Sequence, residues 1–87
     1  MEFKRGENKI FLEDDLGNEI AKVEFPSYKE GEITITHTYV DASLQGRGIA
    51  RKLLDEVCIY AEEKELTIIP ECSYAVKYFE KLELNAK

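Results

Sequence analysis

The stretch Leu44-Gln45-Gly46-Arg47-Gly48-Ile49-Ala50-Arg51-Lys52-Leu53-Leu54 decides the reading of this chain. Two glycines stand between a β-type run and an apolar helical pattern. Glycine lets backbone approach a ligand closely with its N–H groups pointing outward. The helix start behind it adds a partial positive charge suited to phosphate. Between Ala42 and Leu54 lie three cations, Arg47, Arg51 and Lys52, and no acid. The whole chain carries 12 Lys and Arg against 18 Asp and Glu, a net charge of −6, so this segment is a local positive island. It fits a polyphosphate better than a nucleic-acid surface. It is neither a P-loop, which needs Gly-Lys-Ser/Thr, nor a dinucleotide fingerprint, which needs a third glycine. A plain glycine turn before an amphipathic helix, with Arg51 and Lys52 solvated, is the competing reading.

Upstream, residues 9–15 read as a strand running into a turn at Leu16-Gly17-Asn18. Residues 19–25 alternate, Ile20, Lys22 and Glu24 against Ala21, Val23 and Phe25, which is the half-buried strand pattern. The turn between them predicts an antiparallel hairpin. Pro26 ends the second strand and Lys29-Glu30-Gly31 makes the next turn. Residues 32–40 are rich in β-branched side chains and predict one long strand. On it Ile33, Ile35, His37 and Tyr39 share one face, and Thr34, Thr36, Thr38 and Val40 the other.

Downstream, Ala50, Leu54, Val57, Cys58 and Ala61 fall at helical spacing, with Ile49 and Leu53 beside them, so the helix runs to about residue 64. Leu66-Thr67-Ile68-Ile69-Pro70 is nearly all apolar and predicts a short strand buried on both faces. Ser73 is the expected N-cap of a last helix from Tyr74 to about Leu82, with Ala75, Val76, Phe79 and Leu82 as its core stripe. The order β-β-β-α-β-α gives an α/β (α+β) domain: a meander, then parallel strands joined by a helix, in a mixed sheet with helices packed on it. At 87 residues the chain forms a single domain, residues 1–87.

The acidic balance argues against nucleic-acid and anionic-membrane partners. No apolar run approaches the length of a membrane span, and Met1 to Glu7 has no apolar signal segment. Cys58 and Cys72 are therefore expected to be reduced thiols in the cytoplasm. One histidine and two distant cysteines make no zinc site.

Gln45-Gly46-Arg47-Gly48-Ile49-Ala50 resembles the Gln/Arg-x-x-Gly-x-Gly/Ala signature of the GNAT acetyltransferase superfamily. The run from Cys72 to Leu82 is similar to that superfamily's second motif, in which Asn is followed three residues on by Ala and then by Tyr-Glu-Lys. The likeness spans residues 9 to 82 in matching element order. Cys72 stands where the motif has Asn, and Phe79 stands where it has Tyr, with Tyr78 adjacent. Ile-Thr-His-Thr before the loop and Pro-x-Cys after the last strand resemble the short single-domain GNAT-like N-acetyltransferases of the YjdJ type. Superfamily chains are usually longer and carry N-terminal helices that shape the acceptor site; these 87 residues have no counterpart.

The resemblance implies transfer of an acetyl group from acetyl-CoA to an amine acceptor that it does not identify. It implies that Gln45, Gly46, Arg47, Gly48, Ile49, Ala50 and Arg51 hold the pyrophosphate, and that the strand ending at Val40 orients the pantetheine arm. Cys72, at a helix N-terminus, is the candidate nucleophile or proton donor to the departing CoA thiolate. His37 is the candidate general base. Tyr74 and Tyr78, one turn apart, are placed to reach the cofactor. The expected assembly is a monomer or weak homodimer. A module that holds acyl-CoA without turnover, and a subunit completed by a partner, are the alternatives.

Overall fold

The computed structural model describes residues 2–85. Its elements run β1 (Lys4–Gly6), β2 (Lys9–Glu13), β3 (Glu19–Glu24), β4 (Glu32–Ile35), β5 (His37–Val40), a 3-10 turn (Ala42–Leu44), α1 (Ile49–Lys64), β6 (Thr67–Pro70) and α2 (Ser73–Asn85). The strands β1-β2-β3-β5 form an antiparallel sheet, and β4 pairs with β6 in parallel. The α+β class and the parallel strands flanking a helix are as the sequence predicts.

The long strand 32–40 departs from expectation by dividing at Thr36 between two sheets. The Thr34 N–H donates to the Pro26 carbonyl at 2.9 Å and the Thr36 N–H to the Glu24 carbonyl at 3.1 Å. From His37 onward the register shifts by one, pairing His37 with Glu24, Thr38 with Val23 and Val40 with Ala21. Thr36 and His37 thus both oppose Glu24, which is a β-bulge. It also inverts the facing: Ile33 and Ile35 are buried before it, whereas His37 and Tyr39 are exposed after it. The shared face expected for Ile33, Ile35, His37 and Tyr39 is therefore corrected.

The core is one cluster. Ile10 and Leu12 from β2, Ala21 and Val23 from β3, and Ile33 and Ile35 from β4 meet Ile49, Leu53, Leu54, Val57 and Ala61 from α1. Phe25, Leu44 and Ala75 complete it. The helix α1 lies across β3, β2 and β5, and α2 packs on β6 and α1.

Three further expectations change. β1 is an added edge strand whose Lys4-Arg5-Gly6 is exposed and pairs with β2 through backbone and a Lys4–Glu13 ion pair. β6 is an outer strand of a two-stranded sheet, with Thr67 and Ile69 exposed, and not a strand buried on both faces. On α2, Val76 and Leu82 are exposed; Ala75 is buried and Phe79 half-buried, so α2 meets the core along a narrower line than its letters suggest.

Leu53 is wholly buried beneath the sheet. Leu53→Ala is expected to lower unfolding free energy by about 2–5 kcal/mol, measured by urea denaturation at neutral pH.

Candidate active site

β5 leads into the turn that the sequence marks out. The Asp41 N–H still bonds the Ile20 carbonyl at 2.8 Å, which carries the chain alongside the start of β3. The Asp41 carboxylate then accepts from the Ser43 N–H at 3.0 Å and from the Ser43 hydroxyl, starting the 3-10 turn. Those bonds hold the Asp41 carboxyl below its ordinary range, the Ser43 hydroxyl contributing most. Leu44 drops into the core and anchors the turn.

Gly46 and Gly48 then take φ values of +86° and +70°, where a side chain is strained. A Cβ built on either meets nothing within 4 Å, so these glycines serve backbone conformation and leave open space above them. Gly48 is the N-cap of α1 and supplies no side-chain bond to its first turn, which also holds no acid. The leading amides of α1 are consequently free of a side-chain acceptor among the described residues. They face a hollow of about 210 Å³ lined by Val40, Leu44, Gln45, Gly46, Gly48, Ile49, Ala50 and Tyr74. Of the loop residues expected to bind, Arg47 is exposed on the loop and does not line this hollow. Arg51 lines a neighbouring one together with Tyr74 and Tyr78.

The bulge opens a second feature. The Ile35 carbonyl accepts from both the Glu71 N–H at 3.1 Å and the Cys72 N–H at 3.0 Å. Here the β4–β6 pairing ends, β5 leaves with β3, and the chain after Pro70 turns into α2. The two backbones diverge from there, with Thr38 on one and Cys72 on the other. The Cys72 carbonyl accepts the Val76 N–H at 3.0 Å, and its Sγ accepts the Ala75 N–H at 3.4 Å. Cys72, not the predicted Ser73, is therefore the N-cap, and Ser73 already belongs to α2. The sulfur also lies 3.6 Å from the Thr38 hydroxyl, a contact that the sequence analysis missed.

His37 is not beside Cys72. Thr38 and Val40 share the helix-bearing face with their partners Val23 and Ala21, so His37 and Tyr39 project from the opposite face. Tyr78 is also differently engaged than expected: its hydroxyl donates to the Asp55 carboxylate on α1 and lies 3.8 Å from the Cys58 sulfur. Burial first, and the bonds to Asp55 and Cys58 next, hold the Tyr78 proton well above the ordinary tyrosine range. Burial likewise pushes the Cys58 thiol up. Tyr78 therefore works as a clamp between α1 and α2, while Tyr74 stands at the loop.

A family model described as GCN5-related N-acetyl-transferase matches residues 9–85. The chain belongs to the GCN5-related N-acetyltransferase family. A GCN5-like protein from Staphylococcus aureus, known from its solution structure, is 40% identical with a TM-score of 0.78, over 94% of this chain and 80% of that one. The ribosomal-protein-S18-alanine N-acetyltransferase from Escherichia coli shares the fold at 22% identity and TM-score 0.69, over 90% of this chain and 54% of that one. N-acetylglutamate synthase from Neisseria gonorrhoeae, complexed with coenzyme A and N-acetyl-glutamate, shares it at 18% identity and TM-score 0.67, over 85% of this chain and 18% of that one. No curated protein sequence matches the chain. Family membership bears out the GNAT resemblance and makes acetyl transfer the activity class. No helix among the described residues is long and apolar enough to cross a membrane.

The Tyr78 clamp has a pH signature. Its proton is held in both folded and unfolded chains below the unfolded tyrosine's ordinary value of 10.0, and only the unfolded chain releases it readily above that. Stability is thus expected to fall as pH rises past about 10, with Cys58 contributing from its own ordinary value of 9.0. Tyr78→Phe should cost about 0.5–1.5 kcal/mol at neutral pH and make the alkaline decline shallower, read by urea midpoints from pH 7 to 11.

Proposed function

We propose that the chain transfers an acetyl group from acetyl-CoA to an amine, with the diphosphate of CoA held by the turn from Gln45 to Arg51. The observation that carries this reading is the glycine-preceded start of α1. Its amides lack a side-chain cap, its first turn lacks an acid, and it opens on a hollow beside the last residue of β5. A dianionic linker suits such donors, because they are preorganised and need no rearrangement to bind. Bound there, acetyl-CoA supplies an activated thioester.

The chain's own residues do the rest. Val40 leads the pantetheine along β5 toward the point where β5 and the start of α2 diverge. The two faces of the sheet there carry different groups. On the helix-bearing face Cys72, steadied by Thr38 and the Ala75 amide, donates a proton to the departing thiolate. On the opposite face His37, exposed beside Glu24, takes the proton that the attacking amine loses, directly or through water. The proton released on one face balances the proton consumed on the other. The acceptor is an amine reaching that open face. Two free thiols and a CoA cosubstrate fit a reducing cytoplasm.

Incubation with acetyl-CoA and a panel of amines should release free CoA thiol. Cys72→Ala should lower kcat about 10²-fold or more with KM for acetyl-CoA little changed, and Cys72→Ser should restore part of it. Gly48→Val should weaken CoA at least about tenfold in calorimetry, since a β-branched residue resists the left-handed backbone. CoA bound without thiol release from any amine would instead favour a module that holds acyl-CoA. An acetyl adduct on Cys72 in intact-mass spectra would replace the proton-donor role with covalent transfer.

A further inference from the structure

The exposed side of the sheet near Cys72 carries a carboxylate that the transfer reaction above does not use. From Thr67 to Cys72 exposure alternates without a break: Thr67, Ile69 and Glu71 are exposed, and Ile68, Pro70 and Cys72 half-buried. β5 alternates in the same way, with His37 and Tyr39 exposed and Thr38 and Val40 half-buried. Register joins the two runs. β4 and β6 pair in parallel as far as Ile35 and Pro70. Continued unbroken, that register would set Thr36 beside Glu71. The extra residue at the bulge moves it by one, and Thr38 accordingly meets Cys72 at 3.6 Å on the helix-bearing face. The residues one before them, His37 and Glu71, therefore stand opposite each other on the far face. Backbone fixes Glu71 there, its N–H donating to the Ile35 carbonyl at 3.1 Å. Its carboxylate makes no ion pair with a described residue, whereas Glu24, on the other side of His37, is approached by Lys22 at 3.8 Å.

We propose that Glu71 is the residue that recognises the acceptor, an assignment resting on the transfer reading above. Its carboxylate pairs with the incoming amine in the ammonium form and holds it against His37. An alkyl amine is almost wholly protonated at neutral pH, since its ordinary pKa lies near that of lysine, about 10.4. It therefore gives one proton to His37, and on to water, before its lone pair attacks the thioester carbon. The second proton, lost as the C–N bond forms and the C–S bond breaks, balances the one that Cys72 gives the departing thiolate. The third stays on the amide nitrogen. The same charge sets the substrate class. With Glu71 unpaired and Glu24 close by, the face attracts cationic aliphatic amines and repels amines that carry a carboxylate of their own.

The test compares CoA release from acetyl-CoA with putrescine and with γ-aminobutyrate, which share a chain length and differ in the charge of the tail. The wild type should show a kcat/KM at least about tenfold higher for putrescine. Glu71→Gln keeps the shape and removes the charge. It should cost putrescine about tenfold in kcat/KM, chiefly through the KM for the amine, with the KM for acetyl-CoA unchanged. Glu71→Lys should turn the preference toward γ-aminobutyrate. The control Glu32→Gln removes a charge at the first residue of β4 and should leave the preference as it is. Equal kcat/KM for the two amines in the wild type, a preference that survives Glu71→Gln, or an equal fall in Glu32→Gln overturns the role of Glu71 and leaves acetyl transfer standing. CoA release from none of the amines in the panel above overturns the transfer reading together with it.

Discussion

The rest of the structure depends on how the backbone at Ile35 and Thr36 satisfies its hydrogen bonds. The Ile35 carbonyl faces Glu71 and Cys72 on one side, and the Thr36 N–H faces Glu24 on the other. One continuous run of chain is thereby claimed by two partners that cannot stay adjacent. The extra residue opposite Glu24 lets both pairings exist. Its consequence is that β5 and the start of α2 diverge at a fixed place, where Thr38 and Cys72 meet side chain to side chain. The same shift turns His37 to the far face, so the thiol and the imidazole stand on opposite faces of the sheet.

The start of α1 shows a second constraint. A Ser or Asp at the cap would stabilise the helix by about 1 kcal/mol by occupying a free amide. Gly48 forgoes that bond and leaves the donors facing the hollow. With 14 buried apolar residues among those described forming a single core, that stability is not trivial for so short a chain. The arrangement makes physical sense when an outside anion completes the cap. Arg47, Arg51 and Lys52 put three cations, and no acid, into the loop and first turn of α1 in an acidic molecule.

Much of this was legible in the letters. The glycine turn, the extent of α1, the β2–β3 hairpin and the parallel relation of β4 and β6 all follow from local pattern and connectivity. The bulge did not, because residues 32–40 alternate without glycine or proline; only the competition between two partners breaks the run. β1 was hidden because its three residues are exposed and its side chains are held by charge, Lys4 on Glu13 and Arg5 on Glu63, which leaves no apolar alternation to read. Cys72 displaced Ser73 as cap because the two amides on the Ile35 carbonyl fix where the chain turns, which no cap preference encodes. The partnership of Thr38 with Cys72 joins residues 34 apart in sequence and lacks any local signal.

The most direct measurement is a backbone amide map by two-dimensional ¹H–¹⁵N NMR while CoA is titrated into the labelled protein. The account predicts that the largest shifts fall on the amides of Gly46, Gly48, Ile49, Ala50 and Arg51, with a second group at Val40 and Tyr74. Shifts centred on the β1–β2 hairpin, or none at all at saturating CoA, would contradict it.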